Sequence, residues 1–208
     1  MRIVFATGNK DKMREIREIL GGLGAEILSM KEAGIEGDIE ENGTTFSENS
    51  MIKAVSVAGL LKEKDPEAAG QSIILADDSG LEVDYLGGEP GIYSARYMGR
   101  DTSYAEKNTA IIAKLEGVPD EERTARFVCA IAAVLPNGKK LDTLGTMEGR
   151  IAYEIAGANG FGYDPIFFLP EYGKTSAELT EQEKNAISHR GKALRKMAEI
   201  LEAELKGV

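Results

Sequence analysis

The sequence has a single cysteine, a single histidine, and no apolar run approaching the roughly 20 residues that span a bilayer. One cysteine excludes a disulfide within the chain. It lies in the apolar run Phe127-Val128-Cys129-Ala130-Ile131, which suits a small buried hydrophobe rather than a nucleophile or ligand and fits a reducing compartment. The opening residues stop being apolar at Thr7, so no signal-peptide core is expected, and the chain is expected to be cytoplasmic with no membrane partner. Prolines number six, and low-complexity and Gly/Ser-rich stretches are missing, which leaves no linker or disordered tract. Positive charge is also short: 25 Lys and Arg face 35 Asp and Glu, a formal net charge of −10. That is the wrong sign for gripping a nucleic acid backbone, so no nucleic acid partner is expected. Small phosphorylated ligands stay open, because a few lysines gathered at one site, joined by a metal ion, outweigh a distant acidic surface.

What remains is an ordinary globular composition, 42% hydrophobic and 29% charged over 208 residues, enough to bury a core without disulfides or structural metal. Arg2 to Ala6 reads as a strand. After Thr7-Gly8-Asn9 a helix begins, with Met13, Ile16, Ile19 and Leu20 on one face; Gly21-Gly22 ends it and a strand near Ala25 to Leu28 follows. This strand, turn, helix, strand opening predicts a mixed α/β fold. An acidic loop through Glu40-Glu41-Asn42-Gly43 precedes a helix from about Ser47 to Leu61, and Ser72 to Ala76 reads as a buried strand ending at Asp77-Asp78-Ser79-Gly80. A helix is expected from about Ser103 to Leu115, and a hairpin from Ala125 to Gly149 turning at Pro136-Asn137-Gly138. The hairpin suggests a second lobe, over roughly 120–165. A helical region from Thr180 to Leu205 opens on the capping box Thr180-x-x-Glu183.

Several groups in this frame can do chemistry. Thr7-Gly8-Asn9-Lys10-Asp11-Lys12 joins a strand to a helix N-terminus, where free N–H groups attract anions; it reads as a phosphate cradle or as an ordinary capped turn. Glu40-Glu41 and Asp77-Asp78 are acidic pairs of the kind that suit Mg²⁺, or else solvated surface acids. The surface reading is weaker for the second pair, since adjacent acids after an apolar strand need stabilising, and in an extended chain only one of them faces a given ligand. Lys53, on the helix after the acidic loop, either reaches that ligand or is solvated. Phe161, between two glycines, is placed to stack on a flat base or to anchor its loop. Lys184, Ser188, His189 and Arg190 form a donor-rich cluster or a solvated helix face. On one unbroken helix Lys184 and His189 lie roughly 140° apart, so a shared ligand requires a break near Ser188, which we predict, with Ser188 as a new N-cap.

Six segments, in order, resemble the Ham1-like inosine triphosphate pyrophosphatase family in its bacterial XTP/dITP form. They are Thr7-Gly8-Asn9-x-x-Lys12, Glu41-x-Gly43-x-Thr45-Phe46-x-Glu48-Asn49, Ala76-Asp77-Asp78-Ser79-Gly80-Leu81, Pro90-Gly91-Ile92-Tyr93-Ser94-Ala95-Arg96-Tyr97, Gly160-Phe161-Gly162-Tyr163-Asp164-Pro165-Ile166-Phe167 and Ser188-His189-Arg190-Gly191. The resemblance runs nearly end to end. It implies an α/β fold, an elongated mixed β-sheet with flanking helices forming two lobes around a nucleotide cleft in one ITPase-like domain over 1–208, and a homodimer, for which Ile92 to Tyr97 offers an interface or cleft wall.

The implied activity is Mg²⁺-dependent hydrolysis of non-standard purine nucleoside triphosphates, those of inosine and xanthosine and their deoxy forms, to the monophosphate and pyrophosphate. The small-molecule nucleotide is then the partner. One or more Mg²⁺ would be held by Glu41 and Asp78, with Glu40 a further candidate ligand, and Asp78 would serve as general base. Thr7, Gly8, Asn9, Lys10, Asp11, Lys12 and Lys53 would offset the phosphate charge. Phe161 would stack on the purine while Asp164, Lys184, His189 and Arg190 read its edge, and Ser79, Gly162 and Tyr163 would also bind the substrate. A Maf-like pyrophosphatase for other modified nucleotides and a purine nucleotide sensor that binds without cleaving are the alternatives.

Overall fold

The computed structural model describes residues 2–37 and 39–206. Its strands are β1 (Arg2–Phe5), β2 (Glu26–Ser29), β3 (Ser72–Val83), β4 (Thr124–Val134), β5 (Lys140–Ile151), β6 (Phe167–Leu169) and β7 (Lys174–Thr175). They form one seven-stranded sheet in the order β2-β1-β3-β4-β5-β6-β7. β1 runs parallel to both β2 and β3, while β6 runs antiparallel to β5 and β7, so the sheet is mixed. The helices are α1 (Lys10–Leu20), α2 (Phe46–Lys64), α3 (Pro66–Ala69), α4 (Tyr104–Lys114), α5 (Glu181–Ile187) and α6 (His189–Lys206).

The chain divides into two compact units: the first is Met1–Asp78, Cys129–Gly145 and Arg190–Val208; the second is Ser79–Val128 and Thr146–His189. In the first unit the two-residue period of the strands sorts the core into two layers. Ile3 and Phe5 of β1 and Ile73 and Leu75 of β3 pack with Met13, Ile16 and Leu20 of α1 and with Ala193, Leu194, Met197 and Leu201 of α6. Their neighbours Val4, Ala6, Ile74 and Ala76 pack with Ala54, Val57 and Leu61 of α2. Each fully buried Ile, Leu or Phe contributes about 1.5–3 kcal/mol relative to exposure. This burial, more than helix propensity, holds α1, α2 and α6 on the strands. Cys129, in β4, is fully buried as expected, and burial pushes its thiol up to about 12.

The second unit packs Leu81 and Val83 of β3, Ile111 and Leu115 at the end of α4, Phe127 of β4, Met147 of β5 and Phe167 of β6 into its own core. Its largest buried side chain is Arg123, whose guanidinium donates to the carbonyls of Leu115 at 2.6 Å and of Ile151 and Ala152 at 2.8 Å. These carbonyls end a helix and a strand, and one planar fork satisfies all three.

Two elements differ from the sequence reading. β3 does not stop at Ala76 but continues through both aspartates to Val83. The acids stay within the strand because cations on either side of the sheet neutralise them, as described below. α2 starts at Phe46 and runs three residues past Leu61, to Lys64. The helical region after Thr180 is broken at Ser188, whose backbone is extended (φ −64°, ψ 153°), and the Thr180 capping box is formed. Among the described residues no helix is long and apolar enough to cross a membrane.

Candidate active site

The first unit gathers the charged groups. Asn9 caps α1, its side-chain oxygen accepting from Asp11 N at 2.9 Å and Lys12 N at 3.1 Å, while Thr7 Oγ1 accepts from Asn9 N at 3.1 Å. Gly8, Asn9 and Lys10 are exposed at the helix start, and Asp11 pairs with Arg14 at 3.2 Å. Lys12 reaches from the first turn to Asp77, Nζ to Oδ1 at 3.0 Å.

The alternation of β3 carries straight on from the core into the acids. Ile73 and Leu75 face α1 and α6. Two residues further, Asp77 meets Lys12 of α1 and Arg190 of α6, whose Nη2 is 3.1 Å from Asp77 Oδ2. Arg190 also binds Glu15 of α1, and Glu15, Asp77 and Arg190 are all nearly fully buried. Burial alone would raise the Asp77 carboxyl, but Lys12, Arg190 and Lys53 outweigh it and hold the group well below the carboxylate range. Arg190 is held above its ordinary value by the same carboxylates despite burial.

On the other side Ile74 and Ala76 face α2. Two residues after Ala76, Asp78 meets Lys53 of that helix, Nζ to Oδ1 at 3.1 Å; Lys53 also lies 3.2 Å from Glu41 Oε2. Burial raises the Asp78 carboxyl, with Lys53 opposing it. Burial acts to lower the Lys53 ammonium, but Asp78, Asp77 and Glu41 raise it above its usual value. The second oxygen of Asp78 is buried with no hydrogen-bond partner. Glu40 is exposed, whereas Glu41 is half-buried beside the ammonium.

Two carboxylates bridged by a cation, one with an orphaned oxygen, fit a hard divalent ion that takes few protein ligands and completes its shell with water and phosphate oxygens. No group of three or more potential metal-ligating side chains occurs among the described residues. Among the described residues, Glu41 and Asp78 are the carboxylates that Lys53 brings together for such a shell.

The second unit builds a different surface. Asp164 is almost completely buried, and its carboxylate accepts from Phe161 N at 2.8 Å, Ser176 Oγ at 3.0 Å and Lys184 Nζ at 2.6 Å. Lys184 Nζ stands 4.9 Å from the centre of the half-buried Phe161 ring, so a flat aromatic face and an ammonium lie side by side. Gly160 makes this turn possible: its φ is +72°, and a Cβ there would come within 2.2 Å of Asp164 Oδ2. Asn108 Nδ2 donates to the Gly162 carbonyl at 3.1 Å, and Tyr163 donates to Ser94 O at 2.8 Å while packing edge-on against Tyr104. The segment Gly91–Arg96 is thus tied to the aromatic loop through Ser94. The break at Ser188 leaves His189 stacked on Phe127, ring centres 4.8 Å apart. Ser79 is half-buried on β3.

Seven of the residues singled out from sequence fall into two constellations, Lys12, Glu41, Lys53 and Asp78 in the first unit and Phe161, Asp164 and Lys184 in the second. Arg190 is held within the first unit by Glu15 and Asp77. Glu15 and Ser176 were missed. Glu15 follows Lys12 by three residues and so shares its helix face, the one cue available; Ser176 lies in a stretch without periodicity.

Comparison with known proteins gives these constellations a setting. The family model described as Ham1 family matches residues 3–200. A dITP/XTP pyrophosphatase of Clostridium perfringens is 49% identical over 207 residues, covering 99% of both chains. Another, from Caldanaerobacter subterraneus, is 47% identical over 97% of this chain and 96% of its own. Among solved structures, the Ham1 protein of Staphylococcus aureus superposes with a TM-score of 0.84 at 38% identity, covering 98% of this chain and all of its own. That of Coxiella burnetii gives 0.83 at 41%, over 98% and 99%. With a model match over nearly its whole length and full-length relatives close to half identical, the chain belongs to the Ham1 family.

Proposed function

We propose that the chain is a nucleoside triphosphate pyrophosphatase that hydrolyses the triphosphates of inosine and xanthosine and their deoxy forms to the monophosphate and pyrophosphate, keeping deaminated purines out of DNA and RNA. The observation that carries this reading is the Lys53 ammonium suspended between Glu41 and Asp78, with the second Asp78 oxygen left unpaired in a buried setting. The relatives from Clostridium perfringens and Caldanaerobacter subterraneus, both dITP/XTP pyrophosphatases, support it.

In this reading the first unit attends to the triphosphate. Glu41 and Asp78 would hold Mg²⁺, which when bound would neutralise charge on the phosphate oxygens. Lys12, Lys53 and the N–H groups at the start of α1 add to that neutralisation. Asp78, with its carboxyl raised by burial, accepts a proton from the attacking water. Asp77 does not take that role: its charge is committed to Lys12 and Arg190, and we assign Arg190 to holding Asp77 ionised and in place.

The second unit attends to the base. Phe161 stacks on the purine, and Lys184, fixed by Asp164, donates to the 6-oxo group, with His189 following at the helix break. Adenine presents a 6-amino donor there, which offers the ammonium no acceptor on the base and costs about 10⁴-fold or more in efficiency for a site built around a hydrogen bond. A cytoplasmic homodimer with no nucleic acid or membrane partner completes the proposal; the nucleotide pool and the net charge of −10 support the location and the small-molecule substrate.

The test is release of pyrophosphate against orthophosphate from ITP, XTP, dITP, GTP, ATP and a pyrimidine triphosphate, with Mg²⁺ and with EDTA. Metal-dependent pyrophosphate release confined to ITP, XTP and dITP is expected. Equal efficiency on ATP would overturn the reading of the base site, and binding without release would overturn the reaction.

A further inference from the structure

We infer that Asn49 is a positioning residue for the carboxylate of Glu41, acting through the backbone of the acidic loop; the inference rests on the reading of Glu41 and Asp78 as metal ligands. Asn49 is completely buried in the first turns of α2, and its side-chain oxygen accepts from Gly43 N at 2.9 Å. The loop lies directly on the helix at that point: a Cβ on Gly43 would stand 2.7 Å from Asn49 Oδ1 and 2.8 Å from Glu48 Cβ. The two residues after Gly43 are tied down as well. Thr44 donates to the Glu48 carboxylate from its N–H at 2.6 Å and its hydroxyl at 2.8 Å, and Thr45 Oγ1 accepts from Glu48 N at 3.1 Å.

The helix does not need the Asn49 side chain for itself. Thr45 is its N-cap, and the Asn49 N–H already bonds Thr45 O at 3.0 Å. What Asn49 holds is the loop. Asn49 and Lys53 are four residues apart and share a helix face, so α2 grips the acidic loop twice: its backbone at Gly43 through Asn49, and its carboxylate at Glu41 through Lys53.

The two grips differ in kind. Lys53 is a flexible four-carbon stem whose ammonium sits between the two carboxylates, where a divalent ion competes with it. Asn49 is short, buried and outside that competition, so it keeps Glu41 near Asp78 when Lys53 shifts. A neutral amide also accepts the Gly43 N–H without adding a third negative charge beside Glu41 and Asp78. Its Nδ2 has no hydrogen-bond partner, a cost that the fold alone has no reason to carry.

The experiment titrates the full-length protein, without nucleotide, with Mn²⁺ and reads bound ion by electron paramagnetic resonance. The variants are Glu41→Gln, Asn49→Ala, Gly43→Ala and the last two combined. Wild type should bind Mn²⁺ and Glu41→Gln should lose that binding; if the two bind alike, or wild type binds none, the metal reading falls and the inference with it. Given that control, Asn49→Ala and Gly43→Ala should each weaken Mn²⁺ binding by roughly tenfold, the scale of losing one buried hydrogen bond. The double variant should be no weaker than either single one, because both break the same contact. Turnover of Asn49→Ala should recover toward wild type as Mg²⁺ is raised, which a general folding defect would not allow. Wild-type Mn²⁺ affinity in the single variants, or losses that simply add, would overturn the inference. Should Asn49→Ala fail to fold, Gly43→Ala alone decides by its Mn²⁺ affinity.

Discussion

Adjacent aspartates on one strand carry opposite electrostatic burdens, and their variants should behave oppositely. Asp78 has its carboxyl raised by burial, so it favours folding fully below the ordinary carboxylate range near 4 and loses that contribution as pH rises through its folded value. At neutral pH its charge is a liability to the metal-free protein. Asp78→Asn should therefore melt at the same temperature as wild type or higher in calorimetry at pH 7 without metal, while turnover falls by about 100-fold or more. Asp77 is the reverse case. Although burial opposes it, Lys12, Arg190 and Lys53 depress its carboxyl, so its contribution is complete above the ordinary range and is lost as pH falls toward the folded value. Asp77→Asn should cost about 3 kcal/mol at pH 7, the scale for breaking a buried ion pair. Measured by denaturant titration, that cost should shrink as the pH is lowered below about 4.

At the scale of elements, the joints are where side chains do backbone work. Arg123 gathers the carbonyls of Leu115, Ile151 and Ala152, so it ties the end of α4 to the end of β5. Arg123→Met keeps much of the volume and removes three hydrogen bonds, leaving Leu115 O with its bond from Val118 N; a loss of about 3 kcal/mol in urea unfolding is expected. The elements themselves were largely legible in the residues. Apolar spacing after Thr7-Gly8-Asn9 marked α1, the Thr180 capping box marked α5, and β-branched runs marked β1 and β4. The stop placed at Ala76 was not where β3 ended. Two aspartates and a glycine carry turn signals when taken alone, but Lys12, Arg190 and Lys53 come from distant parts of the chain and neutralise them within the strand. The site divides in the same way: Lys53, Asp78, Phe161 and Lys184 stood out by type and motif, whereas Glu15 looked like any solvated helix acid.

For the whole molecule, Cys129 reports on unfolding. It lies fully buried in β4, its thiol pushed up to about 12, so Ellman's reagent should leave the native protein unlabelled and label one thiol per chain in denaturant. Labelling at the native rate of an exposed thiol would show that the sheet opens locally. What the sequence by itself determined is local or compositional: the acidic charge balance is a sum over residues, and the α/β pattern, the Thr180 capping box and the six motifs each rest on neighbours a few residues apart, while the break at Ser188 followed from asking Lys184 and His189 to share one ligand. What only the tertiary structure decided is pairing over long separations. Arg190 meets Glu15 across 175 residues and Asp77 across 113, and no periodicity in the chain announces such contacts. The parity of β3 then sends one aspartate to α1 and α6 and the next to α2, because successive side chains of a strand point to opposite faces. Which carboxylate is locked in an ion pair and which retains an unpaired oxygen follows from what those helices bring to each face.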